Sequence, residues 1–295
     1  LTSPGIFDRN QIRRALARAS GTLPASDFLI RHAAEELADR LGGIRREFAR
    51  VADVGAHHGV VARTLAARFP GPAPLSLAPT LSLAEACPKP AAVADAEALP
   101  LKQGAFDLVT SALSLHFAND LPGALIQIRR ALRPDGLFLA ALLGGDTLIE
   151  LRQAFMQAET ETAGGVSPRV FPTADLRDMG GLLQRAGFAL PVADSEQLTV
   201  TYADALALMR DLKAMGAANP LAARSRRFMR RDTLFRAAAI YAERFAGVDG
   251  RVRATFEIIY LCGWSPHESQ QQPAKPGSAT ARLADALKAK EQGFR

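Results

Sequence analysis

Val51-Ala52-Asp53-Val54-Gly55-Ala56-His57-His58-Gly59 is the stretch on which the fold is decided. An apolar run from Phe48 to Val54 enters it, and Val60 to Phe69 leaves it with helical periodicity, so the unit reads strand, glycine turn, helix. In a doubly wound sheet the first strand ends at such a turn, which lets backbone approach a ligand's polar groups with the next helix N-terminus behind them. Asp53, Gly55 and Gly59 fit that geometry. His57 stands where the middle glycine of the loop is expected. A Cβ and an imidazole there take up ligand space, and a positive φ at that position costs a non-glycine residue extra energy.

Working outward, Asp27 to Leu41 places Leu29, Ala33, Leu37 and Leu41 four apart before Gly42-Gly43, which predicts an amphipathic helix with a glycine stop. Downstream the alternation continues: strands near Leu75 to Leu77, Ala91 to Val93, Phe106 to Ser111 and Gly136 to Leu143, with a helix at Pro122 to Leu132. Strands alternating with helices imply an α/β fold, a mainly parallel sheet covered on both faces. Arg133-Pro134-Asp135-Gly136 reads as a turn. Asp146 is expected to cap a helix over Thr147 to Thr162, with Glu150 completing the capping box. Gly144-Gly145 and the loop at Ser167-Pro168-Arg169 lie where the ligand crevice opens, which makes them candidates for substrate entry. A further helix is expected at Ala174 to Ala186. Two late strands, Glu196 to Tyr202 and Thr255 to Gly263, enclose a helical insertion. The expected layout is therefore N-terminal helices over 1–50, a core over 51–202, a helical lid over 203–253, the last core strand over 254–264 and a tail over 265–295, with a short helix at Ala279 to Lys290.

The 295 residues are 48% hydrophobic and 22% charged, a balance that suits a globular protein with one large core. No run approaches the roughly 18 apolar residues that span a bilayer. The first eight residues lack a secretion signal, so a cytoplasmic location is expected in a bacterium. Cys87 and Cys262 are too few for a disulfide framework or a thiolate cluster. The net charge of +6 rests on 36 basic residues, of which six are lysine. That arginine bias is dispersed except at Arg224 to Arg231, and with few aromatics to stack on bases it argues against nucleic acid as a partner.

A second feature of the crevice concerns ribose. Its hydroxyls are held in such sheets by an acid at the end of the second strand, about twenty residues past the first turn. None occurs between Ala56 and Ala84, and Glu85 falls on the following helix. Asp95, with Ala96 beside it after the third strand, is placed to accept a hydrogen bond from an adenine amino group, or else to serve as a cap or turn residue. Ser111, Ser114 and His116 follow the fourth strand on the ligand-facing edge. Ser111 and His116 are the candidates for catalysis, His116 as a proton acceptor or as a packed histidine at a helix entry. His57, His58 and Asp53 have the residue types of an iron-binding facial triad, but adjacent side chains diverge and no metal site is assigned.

Several strings resemble class I S-adenosylmethionine methyltransferases near the branch with malonyl-carrier-protein O-methyltransferase: Asp53-Val-Gly55, Ala94-Asp-Ala-Glu-Ala-Leu-Pro100, Phe106-Asp-Leu-Val109 and Leu132-Arg-Pro-Asp-Gly136. Longer ones resemble the assembly factor 5 family of respiratory complex I. They are Ser114-Leu-His-Phe-Ala-Asn-Asp-Leu-Pro122, Gly144-Gly-Asp-Thr-Leu-Ile-Glu-Leu-Arg152, Ala158-Glu-Thr-Glu-Thr-Ala-Gly-Gly-Val-Ser-Pro168, Arg231-Asp-Thr233 and His267-Glu-Ser-Gln270. The resemblance implies a Rossmann-like methyltransferase fold with a seven-stranded sheet, and hydroxylation of an arginine in a complex I subunit precursor. It also implies a possible small partner factor and, in eukaryotes, a place in the mitochondrial matrix, peripheral to the inner membrane. The cofactor implied is S-adenosylmethionine, against Asp53, Gly55, His57, Gly59, Asp95, Ala96 and Ser111. The sequence departs from the family at His57, where the family carries glycine, and at the absent ribose acid, so weak or abolished cofactor binding is expected. Two other functions stay open: an ordinary S-adenosylmethionine methyltransferase of a protein or small acid, and a cofactor-free pseudoenzyme acting as an assembly chaperone.

Overall fold

The computed structural model describes residues 5–171 and 175–271. Seven strands form one sheet: β1 (Val51–Val54), β2 (Leu75–Ala78), β3 (Ala91–Val93), β4 (Phe106–Ala112), β5 (Leu132–Leu143), β6 (Ala189–Tyr202) and β7 (Val252–Trp264). Their spatial order is β3-β2-β1-β4-β5-β7-β6. The first five run parallel, with Ala52 opposite both Leu75 and Val109. β7 joins β5 antiparallel, Leu139 facing Cys262, and β6 pairs antiparallel with β7 along nearly its whole length. The strand order reverses between β1 and β4, each of which leaves toward the same edge, and this switch point is where an open α/β sheet binds ligands.

Period-two alternation explains how both faces are covered. Leu108, Leu137, Leu139 and Ala141 belong to the core packed with α2 (Phe28–Gly42), α3 (Val60–Arg68), α6 (Ile149–Ala163), α8 (Ala205–Ala214) and α9 (Arg231–Phe245). Their neighbours Val109, Phe138, Ala140 and Leu142 face the opposite core, built with α5 (Leu121–Ala131) and α7 (Leu176–Arg185). Two more α-helices complete the set among the described residues: α1 (Arg9–Ala19), capped by Asp8 through the Gln11 N–H, and α4 (Leu81–Ala86), capped by Thr80. α8 and α9 lie between the two strands of the late hairpin. α9 is fixed to the sheet by Tyr241, fully buried, whose hydroxyl donates to the Arg253 carbonyl at 2.9 Å.

Two local expectations are corrected. Asp146 does not cap α6, because the helix starts after Leu148, which holds φ 54. Its carboxylate instead accepts from Gln197, and Glu150 is buried with its carboxylate on the Thr255 N–H (3.1 Å) and hydroxyl (2.6 Å). A buried carboxylate needs donors more than a helix end needs an acid, so the tertiary bonds win. Arg133 to Gly136 forms no free turn either. It lies within β5, where the pairing register with β4 shifts, and Asp135, φ 61, takes the left-handed conformation. The helix expected at Ala279 to Lys290 lies outside the described residues.

Candidate functional site

At the switch point the Gly55 to Gly59 loop turns between β1 and α3. Gly55 has φ 73, and a Cβ built on it would meet the Ser114 Oγ at 1.9 Å; Gly59 has φ 83, and its Cβ would strike Pro88. No side chain fits at either place. His57 between them also has a positive φ, 44. Its imidazole folds inward, 8% exposed, with Nε2 3.0 Å from the Ala112 carbonyl. A carbonyl only accepts, so Nε2 carries the proton and Nδ1 is left as a bare acceptor with no partner. Burial holds this imidazole neutral, lowering its pKa to about 4 against the opposing pull of the Ala112 bond.

Two chambers meet at this imidazole. The outer cleft encloses about 690 Å³ counted to its open mouth and is lined by Gly55, His57, Leu77, Pro79, Asp95, Ala96, Ser114 and Phe117, with Arg9 and Arg13 of α1 closing one side. The inner chamber, about 880 Å³ on the same measure, is mostly apolar and is lined by His116, Phe117, Phe171, Leu148, Leu151 and Arg169 among others. His57, Leu113, Phe117 and Leu16 line both. The two chambers thus share a wall of four residues, of which His57 is the polar one.

The outer cleft has the position of a nucleoside pocket but altered chemistry. Where the ribose acid is expected, β2 ends in Ala78 and is followed by Pro79, which lines the cleft. Glu85 sits on α4, away from it. The carboxylate of Asp95 is already engaged: it accepts from its own turn through the Glu97 N–H (2.9 Å) and forms ion pairs with Arg9 and with Arg13, the latter at 2.6 Å. Arg9 also grips Glu97 at 2.6 Å. Thus α1 is latched over the Asp95 side of the cleft by two arginines that belong to no motif of the sequence. The signal was present in the spacing of Ile12, Leu16 and Ala19 behind the cap Asp8, which marks an amphipathic helix whose other face carries Arg9 and Arg13.

Of the remaining sequence candidates, Gly55, His57, Asp95 and Ala96 line the cleft, whereas Asp53, Gly59 and Ser111 do not. Asp53 is fully buried beneath the loop, accepting from the Thr110 hydroxyl at 3.0 Å with its second oxygen unpartnered, and burial pushes its pKa up to about 7. Ser111 is buried inside β4 with its hydroxyl unpartnered, and Ser114 reaches the cleft instead. His116 lies on a single 3-10 turn, Leu115–Phe117, stacked on Phe171 at 5.7 Å and 9°. Both of its ring nitrogens lack partners, and burial followed by the neighbouring His57 lowers its pKa to about 3. His57, His58 and Asp53 go separate ways, since His58 Nε2 pairs with Asp27 at 2.9 Å. Among the described residues, the one His and carboxylate group with metal-compatible spacing is His32, Glu36 and Glu196, on α2 and β6. There Glu36 is already paired with Arg40, and Glu196 with His32 and the Tyr260 hydroxyl.

A family model described as a methyltransferase domain matches residues 52–140. A protein named arginine-hydroxylase NDUFAF5, mitochondrial, from Danio rerio is 41% identical over 289 residues, covering 96% of this chain and 90% of its own length. The chain belongs to the NDUFAF5 arginine-hydroxylase family. A malonyl-[acyl-carrier protein] O-methyltransferase of Laribacter hongkongensis is 40% identical over 282 residues, covering 90% of this chain and 92% of its own. In shape the chain is similar to the YcgJ protein of Bacillus subtilis, with a TM-score of 0.55 at 15% identity over 79% of this chain and 99% of that one, which confirms the Rossmann-like methyltransferase fold.

Methyltransferase-fold families generally bind S-adenosylmethionine. This member of the NDUFAF5 family keeps a cleft at the switch point with Asp95 in its lining, but it has Pro79 where a ribose acid is expected, an imidazole in the loop and two arginines on the Asp95 carboxylate. These residues do not fit the group as a methyl donor. Among the described residues no helix is long and apolar enough to cross a membrane.

Proposed function

We propose that this chain is a methyltransferase-fold arginine hydroxylase that acts on a complex I subunit during assembly. The observation that carries this over methyl transfer is His57. In-line transfer needs donor methyl and acceptor in near contact, with reacting atoms about 3 to 3.5 Å apart, and His57 belongs to the wall that the two chambers share. The relatives' name supports the acceptor as arginine. The chain's own contribution is to take the target into a mostly apolar chamber, to keep His57 and His116 neutral there, and to offer their free ring nitrogens for hydrogen bonding to it.

The test is deletion of the gene followed by mass spectrometry of the complex I subunits. An arginine peptide lighter by one oxygen in the deletion strain is the expected result. Loss of a methyl mass instead would move the assignment to methyl transfer. Failed assembly with every arginine mass unchanged would leave a chaperone that modifies nothing.

Likeness to the malonyl-carrier-protein enzymes over nine-tenths of the chain supports a second reading, methylation of a small acid. Calorimetry with S-adenosylmethionine separates the two, because micromolar binding and methyl incorporation into an acyl carrier protein would sink the hydroxylase assignment.

A further inference from the structure

The string Ala158 to Pro168 and the loop after it have a role of their own. Glu159, on α6, is 3% exposed. Its Oε1 accepts from Arg169 Nε at 2.7 Å and pairs with Nη2 at 2.5 Å, while Oε2 accepts the Ser167 N–H at 2.6 Å. A buried carboxylate without a cation is strongly disfavoured, so this acid calls for a paired cation. The one it holds comes from ten residues along the same chain, on a loop rather than on a helix or strand. The loop is fastened to the lid by two bonds, Asn219 Nδ2 to the Pro168 carbonyl at 2.7 Å and the Ser225 N–H to the Ser167 Oγ at 3.3 Å.

Arg169 also lines the inner chamber. That chamber is also lined by Leu148, Leu151, Val170 and Phe171 and by His116, whose ring nitrogens are unpartnered, and its link to Glu159 is the Arg169 guanidinium itself. An arginine side chain has the matching pattern, an apolar stem ending in a planar fork of donors that suits a carboxylate. We propose that Glu159 is the guanidinium anchor of the substrate chamber and that Arg169 is its resident occupant, displaced when an arginine of the protein substrate enters. This rests on the arginine-hydroxylase reading and deepens it by naming the recognised group. It also gives the enzyme a self-blocked resting state, in which only an arginine side chain that outcompetes Arg169 opens the anchor.

Arg169→Ala vacates the anchor. Thermal denaturation of this variant with ethylguanidinium should show recovery of Tm by roughly 3 °C at ligand concentrations about ten times the dissociation constant. Ethylammonium should recover much less, the parent chain, whose anchor Arg169 already fills, should gain much less from ethylguanidinium than the variant does, and adding Glu159→Gln should abolish the response. Recovery equal with both cations, or persisting in the double variant, would overturn the assignment. If Arg169→Ala does not fold, the parent protein gives a second measurement. N-acetyl-arginine amide should speed hydrogen exchange at Ser167, whose N–H is held by Glu159, whereas N-acetyl-lysine amide should not. An unchanged exchange rate with both would equally overturn it. Should these tests fail while the deletion strain still lacks an oxygen on its arginine, the anchor falls and the hydroxylase reading stands. If guanidinium binds but arginine masses are unaltered in the deletion strain, the anchor stands and the reading falls.

Discussion

His57 holds φ 44, a conformation that glycine adopts freely and that costs an L-residue of order 1 to 2 kcal/mol. What it gains is a buried bond to the Ala112 carbonyl and a place in the wall of both chambers. His57→Gly should remove that wall and strengthen S-adenosylmethionine binding on the order of tenfold, about 1.4 kcal/mol, as measured by calorimetry. An unchanged affinity would mean that Pro79 and the arginine latch, rather than the imidazole, keep the cofactor out. The same neutral imidazoles set a pH dependence. His57 and His116 drop from 6.5 to about 4 and about 3 on folding, so each contributes stability that is present above pH 6.5 and lost as pH falls toward those values. Asp53 works the other way, because its pKa rises from 3.8 to about 7, and its contribution is present below 3.8 and lost as pH climbs to 7. Two groups oppose one across pH 4 to 6.5, so these three sites together should make Tm rise with pH there. His116→Phe should visibly flatten the rise in a melting series.

Helices and strands differ in what their polar contacts are worth. The pairs latching α1 are part-exposed, Arg13 at 46% against Asp95 at 20%, and such pairs contribute about 0 to 1 kcal/mol. Glu150 is buried and serves two donors of Thr255 in β7; deleting it leaves both unsatisfied, at about 1 to 3 kcal/mol for each. Urea unfolding should therefore show a small loss for Arg13→Ala and at least a twofold larger one for Glu150→Ala. Comparable losses would contradict the burial argument. Glu150 also marks a limit of reading the sequence. Asp146 and Glu150 read locally as a helix cap and its partner, and only the positions of β6 and β7, 51 and 105 residues later, redirect those side chains. Period and glycine placement were enough to recognise β1, α2, α3 and β4, because their signals are local. The pocket was half legible: Gly55, His57, Asp95 and Ala96 follow from strand ends, while Ser111 is buried within β4 and Ser114 lines the cleft after Leu113, φ 48, turns the chain. Arg9 and Arg13 act across more than eighty residues, and no motif carries such a contact.

Across the whole molecule, the segment inserted between β6 and β7 has two characters. α9 is packed on α6 and the sheet through Thr233, Ala237, Ile240 and Tyr241, all buried, while residues 216–230 run as non-helical chain that lines the inner chamber at Gly216, Ala217, Asn219 and Pro220 and carries the fully exposed Phe228 further on. Hydrogen exchange should divide the insertion accordingly, with α9 protected like the core strands and 216–230 exchanging orders of magnitude faster. Uniform exchange over the insertion would show that it moves as a unit. A partition shared by two chambers has one more consequence. If an occupant of the inner chamber turns the ring of His57, the outer cleft changes shape with it, and thermodynamic reciprocity then requires an outer ligand to alter the inner affinity by the same factor. Measuring either ligand's dissociation constant with and without the other would give one coupling constant, read identically from both sides.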